Sequence, residues 1–217
     1  MKKMTLILAG LLAFTFSFAI QAQEAKTFEV TITNITKNQI FTPLLLATHS
    51  STVSLFTPGH PASLELEMQA EGGNPGPLKG LLDGNPGVLN TAVSGGLLLP
   101  GDSVTVEIQG NGHFNRLSIT SMLIPTNDTF VGLRSMKLPS RSAMAALAAY
   151  DAGTETNDED CMNIPGPDCS GMTGGFEAGG GEGYVYISNG ISGIGDLAPN
   201  DFDWRNPVAR VVVNHSK

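Results

Sequence analysis

Val104-Thr105-Val106-Glu107-Ile108 decides the fold class. Apolar and polar residues alternate strictly, and successive side chains of an extended strand point to opposite faces. One face therefore rests on a core while the other meets water, as in an antiparallel sheet covered on one side. Gly110-Asn111-Gly112 closes the run with turn residues. The same alternation appears upstream at Phe28, Val30 and Ile32, and it breaks between Asn34 and Asn38. Downstream, Leu117 and Ile119 begin a strand that runs on to Leu123-Ile124 and ends at Pro125. Tyr184 to Ile187 and the β-branched run Val208 to Val213 read as strands as well. Leu44-Leu45-Leu46 and Val53 to Phe56 suggest two more around a loop with His49, and Pro43 puts the start of the first at an edge or before the pairing begins.

Helical signals are few. Over residues 61–83, Leu64, Leu66 and Met68 alternate as a strand would. Pro61 suits a first helical turn, however, and Gly72-Gly73 suits a stop, which favours a short helix. Asn74-Pro75-Gly76-Pro77 is a turn, and Leu78 to Leu82 fits one helical turn or two. Residues 85–100 read as loop. Ser140 to Ala149 is Ala-rich, and propensity makes it a helix capped by Ser140. Gly171 to Gly183 is expected to be mobile, and Gly190 to Asn200 to be loop. No internal repeat is visible. The expected architecture is all-β: an antiparallel β-sandwich of about eight strands with long loops and one or two short helices.

The chain opens Met1-Lys2-Lys3, runs apolar from Met4 to Ile20 and reaches Gln21-Ala22-Gln23. A basic start, an apolar centre and a small residue describe a secretory signal peptide over residues 1–22, cleaved after Ala22. Residues 23–217 then form a single domain, exported to the periplasm or the extracellular space, and no later stretch is long and apolar enough to span a membrane. Net charge is −8, which argues against nucleic acid as a partner because phosphates need a basic footprint. Cys161 and Cys169 are the two cysteines. In an exported chain they read as a disulfide, since zinc would need a second pair of Cys or His ligands.

Chemistry concentrates in Tyr150-Asp151-Ala152-Gly153-Thr154-Glu155-Thr156-Asn157-Asp158-Glu159-Asp160, where five carboxylates fall within ten residues of a chain only 15% charged. Calcium takes six to eight oxygen ligands on flexible loops. Asp151, Glu155 and Asp158 can converge if the chain bends at Gly153, and Asp128 follows another strand end in Thr126-Asn127-Asp128-Thr129-Phe130. Close carboxylates repel, and a divalent cation relieves that repulsion. The EF-hand order of acids is absent, and Glu159 and Asp160 are expected to be solvated. No Gly-x-Ser-x-Gly elbow occurs, and His49, His60, His113 and His215 lack the His-Glu-x-x-His spacing. His113 reads as a surface residue and His215 as frayed. Gly193-x-Gly195-x-x-Ala198 is followed at once by Pro199 and lacks a βαβ setting, so it is no phosphate cradle. Trp204, the single Trp, reads as a packing anchor.

Three stretches together resemble one family. Leu123 to Phe130, Tyr150 to Glu155 with Asn157-Asp158-Glu159, and Asp203-Trp204-Arg205-Asn206-Pro207-Val208-Ala209-Arg210-Val211 look like the bacterial branch of the spondin domain family. The resemblance runs over residues 27–213. It implies an antiparallel sandwich like that of calcium-dependent membrane-targeting domains, holding one calcium. Asp128 matches the acid after the first loop, and Asp151 and Glu155 match the two acids of the second, with Glu155 standing where animal members usually carry Asp. Asp158 belongs to the bacterial pattern. Animal members are matrix proteins that act in adhesion, including through integrins. The expectation is thus a secreted, non-catalytic, calcium-binding module that binds or adheres to a surface, matrix or protein partner. Two alternatives stand beside it: a secreted hydrolase using the metal or a hidden His-based site, and a structural export protein without bound metal.

Overall fold

A computed structural model describes residues 24–169 and 179–216. The expected signal peptide, residues 1–22, and the greater part of the Gly171–Gly183 stretch lie outside the described residues. Ten strands occur among those that are described: β1 Lys26–Asn34, β2 Ile40–Phe41, β3 Leu45–His49, β4 Val88–Val93, β5 Ser103–Gly110, β6 Arg116–Ile124, β7 Thr129–Lys137, β8 Ser142–Asp151, β9 Tyr186–Ile187 and β10 Ala209–His215. Helices α1, Leu64–Gly72, and α2, Gly76–Asp83, lie between β3 and β4, and the short α3, Pro199–Phe202, precedes β10.

The strands pair in the order β4-β3-β6-β7-β8-β10-β1-β5, with β2 attached to β6 and β9 to β8. Every pair is antiparallel. The sheet curls until its two ends approach each other. There the Gln109 amide donates to Asn90 Oδ1 at 3.0 Å, and Thr48 Oγ1 donates to the Gln109 carbonyl at 2.5 Å. The result is a flattened, nearly closed all-β sandwich.

Two apolar layers account for the strand patterns. The interior gathers Val30, Ile32, Ile108, Leu117, Ile119, Val211 and Val213. In β1 and β5 alternate residues therefore point inward while the polar ones face water, as the alternation requires. A second layer, with Leu45, Ala47, Leu66, Leu78 and Phe130, lies outside the sheet beneath α1 and α2. Strand β3 is squeezed between the two, so all five of its residues are buried and its sequence is continuously apolar at Leu45-Leu46-Ala47. Helix α1 begins at Ser63, whose Oγ accepts from the Leu66 amide at 3.2 Å, and ends at the left-handed Gly73. Gln69 pins it to β6, giving a bond to the Thr120 carbonyl at 3.2 Å and taking one from Thr120 Oγ1 at 2.8 Å.

Several local expectations are corrected. The Ala-rich stretch expected as a helix is β8, paired to β10 on one side and β7 on the other. Two ladders, with Leu147 and Ala149 facing the core, outweigh a preference worth at most a few tenths of a kcal/mol per residue. Residues 85–100 include β4, whose half-buried sequence Val88-Leu89-Asn90-Thr91-Ala92-Val93 lacks clean alternation. Val53 to Phe56 is irregular; its apolar side chains fill the layer under the helices. The Tyr184–Ile187 strand shortens to β9. His215 is not frayed: it pairs with Phe28 in the ladder, and their ring centroids lie 5.2 Å apart. Strand β7 had no counterpart among the expected elements.

Candidate metal centre

Strands β6 and β8 both end at the same rim of the sandwich. The register Thr129↔Asp151 places the start of β7 beside the end of β8, so Asp128 and Asp151 become neighbours across two chain segments. The Ala152 amide donates to the Asp128 carbonyl at 3.2 Å, extending the ladder into the loops. The two loops thus meet.

Asp128 is fully buried. Its Oδ2 accepts three bonds from the second loop: Thr154 N at 2.8 Å, Thr154 Oγ1 at 3.2 Å and Glu155 N at 3.1 Å. Its Oδ1 is buried and receives no bond from an N–H or hydroxyl donor. The Asp151 carboxyl group lies within hydrogen-bonding reach of Asp128, so that oxygen needs either a proton shared with Asp151 or a cation before it. Asp151, 2% exposed, accepts Gly153 N at 2.8 Å on one oxygen and Asn157 Nδ2 at 2.9 Å on the other. Gly153 makes the bend at φ 68°, and a Cβ there would sit 2.2 Å from the Tyr184 carbonyl oxygen, so no other residue fits.

Glu155 and Asp158 form a second pair. Asn127 Nδ2 donates to Glu155 at 3.2 Å and to Asp158 at 3.0 Å. Asp158 also accepts from Asp160 N at 2.9 Å and Asn163 Nδ2 at 2.6 Å. The protonation tendencies divide accordingly. Burial pushes Asp128 above the ordinary carboxylate range. Burial, then the charge of Asp128, pushes Asp151 up to about 7. Burial, followed by the charges of Glu71, Asp128 and Asp158, pushes Glu155 up to about 8. Burial alone would raise Asp158 too, but the bonds from Asp160, Asn127 and Asn163 outweigh it and hold the group low. Three carboxyl groups therefore resist ionising together, the condition that a bound cation or shared protons relieve.

Among the described residues, no three His, Cys, Asp or Glu side chains stand close enough together to hold a metal ion. The expected ligands are gathered as two pairs, Asp128 with Asp151 and Glu155 with Asp158.

Three residues of this region escaped the sequence reading. Glu71, buried at the end of α1, raises Glu155 more than Asp128 or Asp158 does. Asn127 bridges the second pair. Glu159, expected in solvent, is 4% exposed. Its carboxylate accepts Ser192 N at 2.6 Å, Ser192 Oγ at 2.8 Å, Gly193 N at 2.7 Å and Ile194 N at 3.0 Å. Although burial raises it, those bonds hold it below the usual range. The acid-rich composition marked the region, but nothing in the sequence tells a solvated Glu from one whose partners lie more than thirty residues away. Asp160 is exposed as expected.

Cys161 and Cys169 are joined as a disulfide, with Cα atoms 4.7 Å apart. Trp204 is buried in the interior core, and Arg205 pairs with Asp203. His49 is buried, its ring nitrogens bonded to the Ser50 carbonyl and Ser118 Oγ, both at 2.8 Å. It pairs with Arg116 at the start of β6, the far end from Asp128, and exposed His113 lies at that end too. Two clefts flank the acid loop: one lined by Asp151, Asn157, Tyr186 and Ser192 encloses about 180 Å³, and one lined by Pro61, Glu67, Gly153 and Thr154 encloses about 320 Å³, the larger at the lower end of the ~300–1,000 Å³ of ligand pockets.

The fold and this rim define an all-β, disulfide-bearing module with its acidic groups on the loops at one end. The chain belongs to the spondin N-terminal domain family, whose description, Spondin_N, matches residues 22–159, more than half of its 217 residues. That family is of secreted, extracellular type. The match includes Asp128, Asp151, Glu155 and Asp158 and ends before the disulfide and the Trp204 stretch. No curated protein matches the chain.

Proposed function

We propose that this chain is a secreted, non-catalytic module that binds one calcium ion through Asp128, Asp151 and Glu155, with Asp158 completing the acidic set, and adheres to a surface, matrix or protein partner. The observation that carries the reading is the buried Asp128 Oδ1, which has no N–H or hydroxyl donor and stands beside a second buried carboxyl group. A cation supplies the counter-charge that both lack. The donor chemistry selects the metal: the set is oxygen only, with no His or Cys, which suits a hard cation. Asp151 sits at the end of β8, but Asp128, Glu155 and Asp158 sit on loops, which suits the larger and geometrically tolerant calcium better than magnesium. When bound, the ion neutralises the pair and fixes the two loops against each other. Export rests on residues 1–22 as a signal peptide, to the periplasm or beyond.

Calcium binding to the folded state raises stability by mass action. Saturating calcium is expected to raise the melting temperature over that in chelator, with binding seen by calorimetry, and Asp128→Asn or Asp151→Asn is expected to abolish both. An unchanged melting temperature with no heat of binding would refute the reading.

A further inference from the structure

The segment after the acidic loop is fastened to residues 192–196 from both sides. Glu159 reaches into that loop and takes all four of its bonds from Ser192, Gly193 and Ile194. The loop reaches back: the Asp196 amide donates to the Glu159 carbonyl at 2.8 Å, and Asp196 Oδ2 accepts the Cys161 amide at 3.0 Å. Contact is so close that a Cβ on Gly195 would lie 2.4 Å from the Glu159 carbonyl oxygen and 2.5 Å from that of Asp158. Glu159 holds a positive φ of 56°, costly for a residue with a side chain and sustained by its surroundings. Its amide donates to Asn127 Oδ1 at 3.2 Å, and the other end of the Asn127 amide donates to Glu155 and Asp158.

We infer that Glu159 is a positioning residue for the cation site. It contributes no ligand. By gripping the 192–196 loop it fixes Asn127, and Asn127 sets the spacing of the Glu155 and Asp158 carboxylates. The inference rests on the calcium reading for its effect on affinity, but the clasp itself is independent of any metal. It makes a loop far along the chain part of a site assembled from residues 127–158. The match of group to nest is specific. Three backbone amides and a hydroxyl converge on two oxygens, so an anionic acceptor fits and an amide nitrogen does not.

Glu159→Gln tests this. One amide oxygen can replace one carboxylate oxygen, but in either orientation the NH2 group then confronts at least one N–H donor: Ser192 N at the Oε1 position, or Gly193 N and Ile194 N at the Oε2 position. In calorimetric titration with calcium chloride, Glu159→Gln is expected to weaken binding at least tenfold. Ser192→Ala, which removes one of the four bonds and leaves the rest, is expected to weaken it a few-fold and keeps the test available if Glu159→Gln fails to fold. Amide hydrogen exchange in chelator reads the clasp without metal. Protection is expected to fall together at residues 157–161 and 192–196 in either variant while β6 and β7 keep theirs. Wild-type calcium affinity in the variants, or exchange that rises at 192–194 alone, overturns the inference. If the wild-type protein takes up no calcium, the calcium reading fails by itself. Concerted exchange then still sustains the clasp, and exchange confined to 192–194 removes it.

Discussion

Replacing Asp151 by Asn is expected to stabilise the metal-free protein, and only above the pH at which an ordinary carboxyl ionises. Folded Asp151 holds its proton to about 7, against an ordinary value of 3.8. Between those values the folded chain binds a proton that the unfolded chain has released, so stability falls as pH rises. Below about pH 4 both states are protonated and nothing is lost. Above about pH 7 the cost is complete: a gap of about three pH units, at ~1.4 kcal/mol each, comes to about 4 kcal/mol. Asparagine has no charge to bury, and its NH2 group can donate to the orphaned Asp128 Oδ1. Against this, the bond from Asn157 to Asp151 is disturbed, at about 1 kcal/mol. A net gain of about 3 kcal/mol is therefore expected at pH 8, and a loss of about 1 kcal/mol at pH 4, by urea unfolding in chelator. In saturating calcium the sign reverses, because the variant no longer binds the ion. An equal gain at both pH values, or a loss at pH 8 in chelator, would refute the reasoning.

Other outcomes follow from the same groups and from the packing around them. Calcium binding at pH 7 is expected to expel more than one proton, since Asp151 is near half protonated and Glu155, raised to about 8, mostly protonated; calorimetry in buffers of different ionisation heat measures this, and zero release would contradict both shifts. Phe130→Ala empties a site packed by Phe56 and Tyr150, with ring centroids 5.0 and 5.7 Å away, and is expected to cost about 3–5 kcal/mol in urea unfolding. Replacing both Cys161 and Cys169 by Ser opens a short loop and is expected to cost about 2–3 kcal/mol by the same measurement; no loss would mean that the 158–164 segment is held by its hydrogen bonds alone.

The strands that could be read were those with one face in water. In β1 and β5 polar residues alternate with core residues, and the period of two survives in the sequence. Strand β7 escaped because Thr129 to Leu133 are all buried: they lie between the interior core and the helical layer, and burial on two sides erases the alternation. Strand β8 misled because alanine carries a helical preference, while its place is decided by the neighbours at positions 129–132 and 209–214. At the site, Asp128, Asp151 and Glu155 were legible as acids at strand ends. Glu71 and Glu159 were not, because each is defined by a partner remote in sequence: Glu155 for the first, the 192–194 amides for the second.

The approach of β4 to β5 bears on how the folded protein avoids association with other chains. An open sheet exposes two rows of unpaired amides, and those rows recruit other chains into fibrils. Here the two terminal rows are turned toward each other, and the Asn90 side chain occupies the Gln109 amide as a neighbouring strand would. Each edge thus screens the other from a further strand. The screen amounts to a few side chains, Asn90 and Thr48 among them, so replacing Asn90 is expected to raise the tendency to associate more than it lowers the melting temperature, which light scattering of the folded variant measures.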